Sequence, residues 1–164
     1  MIKSELDGLS KAQKLVNMVR LIKKQPESES DPLALLCNAT GIMNQYLEDI
    51  NWVGFYLMRK GELVLGPFQG KAACTRIKVG QGVCGTSVSK RQTMLVEDVD
   101  AFPGHIPCDS ASRSEVVVPV IYKDQVIAVI DCDSPHLNRF SKMEAQALEE
   151  VAEFLAETVH QFLS

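Results

Sequence analysis

Three cysteines set the chemistry that this sequence can perform. Cys74, Cys84 and Cys108 lie in loop-like surroundings, GKAACTRI, GVCG and HIPCDS, and three acids, Glu115, Asp131 and Asp133, follow on stretches patterned as strands. Thiol redox cycles need an attacking thiol and a resolving thiol that closes a disulfide. Clustered carboxyls complement them, because burial and like charge raise a carboxyl pKa and keep a proton available near neutral pH. Asp131 and Asp133 flank Cys132 on an alternating strand, so both carboxyls face one way, either to reach solvent or to hold a cationic ligand, while Cys132 joins Val126, Ala128 and Ile130 in the core. Glu115 opens the apolar strand EVVVPVI, either as an exposed strand end or as a third acid in the same pocket.

Other readings compete for the same residues. Gly80-Gln-Gly82-Val-Cys-Gly85 matches the dinucleotide-binding fingerprint. That fingerprint requires a βαβ unit, whereas here a helix of about eight residues is followed by strands joined as hairpins, so turn geometry explains the glycines better. The three loop cysteines are ten and twenty-four residues apart, with no C-x-x-C pair and no paired histidines, so neither a metal nor another cofactor is expected. His105, three residues before Cys108, keeps a Cys–His hydrolase among the alternatives, although hydrolysis has no use for three loop cysteines. Cys37, among Leu33, Leu35, Leu36 and Ala39, reads as a small buried helix residue.

The elements that must position these groups are legible from periodicity. Residues 5–24 predict an amphipathic helix with Leu6, Leu9, Val16, Val19 and Ile22 on its apolar stripe. Asp31-Pro32 predicts the start of a second helix running to about Tyr46. NWVGFYLM, residues 51–58, reads as a strand turning at Lys60-Gly61 into another at 62–66. Its Val53, Phe55 and Leu57 face the core, and Trp52 and Tyr56 face the other way around Gly54, as a ligand floor or as plain packing. Strands at 74–79 and 93–96 bracket a short helix at 82–90, and residues 97–113 form a long polar loop containing Pro103, Gly104, Pro107 and Cys108. Two further strands, 114–121 and 125–133, form a hairpin. A terminal helix starts at a Ser141/Glu144 capping box and carries Met143, Ala147, Leu148, Val151, Leu155, Val159 and Phe162 on one side. The class is α+β, one domain over 1–164, with helices on one sheet face and a pocket on the other.

Composition narrows the partners. A net charge of −4 without a basic run argues against nucleic acid and favours a small molecule. No apolar run approaches the roughly 20 residues that span a membrane. The N-terminus lacks the apolar core and cleavage site of a signal peptide, so a cytoplasmic protein is expected, with its five cysteines reduced or catalytic.

Taken together, NWVGFYL, LGPFQGKAACTRI, VGQGVCGT, AFPGHIPCDSASRSEVVVP and VIDCDSP resemble the free methionine-(R)-sulfoxide reductases, a family built on a single GAF domain. The resemblance runs from Asp31 onward and leaves the helix before residue 24 outside it. It implies a six-stranded antiparallel sheet with a closed pocket for free methionine sulfoxide. It also implies Cys108 as nucleophile, Cys74 as resolving thiol and Cys84 as a third thiol able to form an alternative disulfide. Trp52, Tyr56, Glu115, Asp131 and Asp133 match the family's substrate-binding positions, thioredoxin is the implied reductant, and a homodimer the implied assembly. The acid that protonates the sulfoxide oxygen is then Glu115 or Asp133, and the loop at 97–113 is expected to act as a lid. A non-catalytic GAF sensor and a stoichiometric redox sensor stand as alternatives, the first disfavoured because the chain leaves no room for an output domain.

Overall fold

The structure, a computed structural model, describes residues 6–106 and 108–164, so the first residues of the expected N-terminal helix and Pro107 of the long loop lie outside it. Helix α1 covers Lys11–Lys24, starting later than its periodicity predicts. The reason is local: Gly8 takes a left-handed φ of 89°, and Ser10 and Gln13 close a capping box, Ser10 N donating to Gln13 Oε1 at 2.8 Å. The buried stripe is therefore Leu15, Met18, Val19 and Ile22. Leu6 and Leu9 precede the helix, and Val16, expected on the stripe, is 66% exposed. Helix α2, Pro32–Tyr46, begins as predicted, with Asp31 accepting from the Ala34 amide at 2.9 Å. Leu35, Leu36, Ala39 and Met43 face inward, which turns Cys37 to solvent and overturns its reading as a core residue.

Six strands follow in the order β3-β2-β1-β6-β5-β4, every pair antiparallel. They are β1 Trp52–Arg59, β2 Glu62–Gly70, β3 Arg76–Lys78, β4 Met94–Val96, β5 Ser114–Tyr122 and β6 Gln125–Ser134. The two hairpin turns, Lys60-Gly61 and Lys123-Asp124, both take positive φ at two successive residues, the geometry whose twist matches paired strands. Helix α3, Gly82–Lys90, leads from β3 towards β4, and α4, Lys142–Leu163, closes the chain.

Strand alternation divides the interior in two. Val53, Phe55, Leu57, Val116, Val118, Val120, Ala128, Ile130 and Cys132 pack against α1, α2 and α4 in the larger core. On the opposite face Trp52, Tyr56, Leu63, Ile77, Val117 and Val129 meet Val83 and Cys84 of α3 in a smaller cluster. Burying apolar area at roughly 25 cal/mol per Å² favours both, and the larger one dominates. The α4 stripe is set by Leu148, Val151, Leu155 and Val159, which leaves Met143, expected on it, 46% exposed. Its cap residue Glu144 is fully buried, accepting from Ser141 N at 2.8 Å and pairing with Lys11 and with Arg139 Nη1, the latter at 2.7 Å.

Candidate active site

The sheet brings distant acids into alternate rungs. Glu115 of β5 pairs with Asp133 of β6, which pairs in turn with Trp52 of β1; two rungs along, Val117, Asp131 and Gly54 align in the same way. Because these rungs share the face away from the large core, a stretch of 19 residues delivers three carboxyls to one place. Gly54 is required by close approach, since a Cβ there would lie 2.4 Å from Phe68 Cβ beside a register shift in β1. The glycines of 80–85 build a turn that seats α3: Gly80 N donates to Gly85 O at 2.8 Å, and a Cβ at Gly85 would lie 2.4 Å from Lys78 O.

Two aromatics fix the segment carrying Cys74. Tyr56 Oη donates to Cys74 O at 2.9 Å and Trp52 Nε1 to Lys71 O at 3.1 Å. Trp52 stacks on Phe68 and Tyr56 at centroid distances of 5.2 and 5.7 Å. Cys74 is joined to Cys108 by a disulfide, with Cα atoms 5.4 Å apart, closing a 34-residue separation. Beneath it lies a cavity of about 40 Å³ lined by Trp52, Tyr56, Cys84, His105, Cys108, Glu115, Asp131 and Asp133, so all of the site residues predicted from sequence but Cys74 border it directly. Trp52 and Tyr56 both pack and wall the cavity, which merges their two alternative readings. The loop at 97–113 is less irregular than expected: a 3-10 turn at Val99–Ala101, capped by Asp98, buries Val99 completely.

Burial dominates the electrostatics. It pushes the carboxyls of Glu115 and Asp133 well above the ordinary range, and the neighbouring Asp131 charge adds to both shifts. Asp131 is also raised by burial, but hydrogen bonds with Glu115, Cys84 and Asp133 hold it back, so protons sit most firmly on Glu115 and Asp133. Burial, reinforced by the Asp131 and Glu115 charges, pushes the Cys84 thiol up, leaving it a neutral donor 4.0 Å from Glu115 Oε1. Cys84, Glu115 and Asp131 place one ligand atom each within 4.8 Å of one another. A cation there would first have to displace their protons.

Asn51 stands behind the cavity with no sequence signal, since its side chain bonds to the lining residues Asp109 and Ser112, 58 and 61 residues away.

The chain matches the GAF domain family over residues 31–159. It is 50% identical to the free methionine-R-sulfoxide reductase of Escherichia coli across 75% of this chain and 74% of that protein. The chain belongs to the free methionine-R-sulfoxide reductase family of GAF domains. Among solved free methionine-R-sulfoxide reductases, the Neisseria meningitidis enzyme in complex with its substrate superposes with a TM-score of 0.89 at 41% identity, covering 94% of this chain and 93% of that one. The reduced form of fRMsr from Staphylococcus aureus gives 0.84 at 42% identity, over 88% of this chain and 94% of its own.

Proposed function

We propose that this chain reduces free L-methionine-(R)-sulfoxide to L-methionine with Cys108 as nucleophile and Cys74 as resolving thiol. The observation that carries the reading is a disulfide between these two cysteines beside a pocket with an aromatic wall, two buried acids, Glu115 and Asp131, and the half-buried Asp133. The Cys108 thiol attacks the sulfoxide sulfur while a protonated Glu115 or Asp133 gives its proton to the departing oxygen. Methionine leaves, and Cys108 holds the oxygen as sulfenic acid. The Cys74 thiol then displaces it as water, forming the disulfide. An external dithiol, for which thioredoxin is our candidate, restores both thiols by exchange; both cysteines are half-buried rather than sealed.

Asp131, whose Oδ1 has no hydrogen-bond partner among the described residues, is our candidate for the substrate ammonium. A methionine within a protein has no such ammonium and is excluded. Trp52 and Tyr56 enclose the methyl-sulfur end, each sulfur–aromatic contact contributing about 0.3–1.5 kcal/mol. Cys84 is held in reserve for an alternative disulfide. The homodimer and the cytoplasmic setting rest on the family resemblance and the sequence; no helix among the described residues is long and apolar enough to cross a membrane.

The test is methionine release from a mixture of the R and S epimers of free methionine sulfoxide with dithiothreitol or thioredoxin, beside a sulfoxide-containing peptide. Release from the free amino acid alone, halting near half conversion, is expected. No release from either substrate would leave a ligand or redox sensor in its place.

A further inference from the structure

One side chain outside the thiols and acids ties the two halves of the site together. Asn51 immediately precedes β1, and its backbone amide donates to Asp133 O at 2.9 Å. Its Nδ2 donates to Asp109 Oδ2 and to Ser112 Oγ, both at 3.0 Å. Asp109 follows Cys108 and borders the cavity. Other hydrogen bonds of this segment stay inside it, as His105 N to Phe102 O, Cys108 N to Ile106 O and Ser112 N to Asp109 O. Among the described residues, the hydrogen bonds that attach 103–112 to the sheet are those of Asn51; the disulfide is the other tether.

We propose that Asn51 is a positioning residue that holds the Cys108 segment over the acids and within bonding reach of Cys74. The disulfide cannot do this during turnover, because it is absent whenever Cys108 is a thiol or a sulfenic acid. Asn51 persists through every step, and its backbone bond to Asp133 places the clamp on the same rung as the acids. The residue type follows from chemistry. Asp109 presents a carboxylate and needs a donor, so the amide must turn its Nδ2 towards it, which leaves Asn51 Oδ1 buried without a partner. An aspartate of nearly the same shape would set like charges face to face.

This inference deepens the reductase reading and rests on it for its kinetic arm. Two quantities are measured on the full chain: the equilibrium of the Cys74–Cys108 disulfide with dithiothreitol, which needs no substrate, and kcat and KM for free methionine sulfoxide. Asn51→Ala is expected to shift the disulfide equilibrium about tenfold towards the dithiol and to lower kcat about tenfold or more, with KM within about twofold, as loss of alignment without loss of binding dictates. Exchanging the groups, Asn51→Asp with Asp109→Asn, restores a donor–acceptor pair in reverse and is expected to recover most of both losses; Asp109→Asn alone is the control. Should Asn51→Ala fail to fold, Asn51→Asp alone is read by the same criteria. An unchanged equilibrium in the single variant, or a folded exchange variant with no recovery, overturns the proposal. A wild-type chain that releases no methionine sinks the reductase reading, while the dithiothreitol equilibrium still decides the role of Asn51.

Discussion

Glu115 and Asp133 occupy one rung and both hold protons well above the ordinary carboxyl range, with burial the first cause and the Asp131 charge the next. Their protonated form, the proton donor of the proposed step, is present below the raised pKa and lost as pH rises through it. Turnover should therefore decline on the alkaline side, measurable as a kcat profile with saturating reductant. The same shift acts on folding: a carboxyl raised in the folded state contributes stability that is complete below its unfolded pKa and falls away as pH climbs to the folded one. Glu115→Gln removes the ionisation, so its thermal midpoint at alkaline pH is expected to exceed the wild type by a few degrees while turnover falls at least about 10²-fold. A loss of both would assign Glu115 to structure. At this scale the sequence is informative where period two applies. Asp131, Cys132 and Asp133 sort to opposite faces as alternation demands. Cys37 does not, because a helix with apolar residues on most sides gives no phase until its partners are known.

Among the elements, the capping box of α4 shows what pattern reading captures and what it misses. Ser141 and Glu144 are recognisable from spacing, yet the full burial of Glu144 and its pairing with Lys11 and Arg139 join residues that no local pattern connects. Burial opposes the Glu144 charge, but hydrogen bonds from Lys11, Ser141 and Arg139 outweigh it and hold the pKa to about 2. With a lowered folded pKa, the stabilisation is present above the unfolded value and lost as pH falls from about 4.5 towards about 2. Glu144→Gln should cost about 2–3 kcal/mol at pH 7, seen in urea melts, and should flatten the acid limb of the stability curve. An unaltered acid limb would refute the assignment. The phase of α1 illustrates the converse failure: its periodicity runs back to residue 5, but the Ser10 cap begins the helix at Lys11, and the stripe that packs is Leu15, Met18, Val19 and Ile22, which leaves Val16 outside it.

For the whole molecule, the Cys74–Cys108 bond spans 34 residues that include β3, α3, β4 and the long loop. By loop-closure entropy a cross-link of that separation is worth about 3–4 kcal/mol, so reduction should lower the melting temperature by roughly 6–16 °C for a chain of this size. The cavity beneath the bond, about 40 Å³, is bordered by His105, Cys108 and Asp109 of the loop at 97–113. Reduction removes one tether of the segment 103–112 and leaves the bonds of Asn51, so limited proteolysis there should quicken on reduction, and more so in Asn51→Ala; equal cleavage in both redox states would refute the expected lid. The antiparallel order also has a consequence for folding fidelity. Glu115, Asp131 and Asp133 meet only because β5 and β6 pair in one register. Slipping one strand by a single residue would bring Cys132 to the pocket and drive two carboxyls into hydrocarbon packed by three helices, a cost no other contact offsets. The acids that equip the pocket are therefore also proofreaders of strand alignment, penalising the misfolded sheet before any ligand is present.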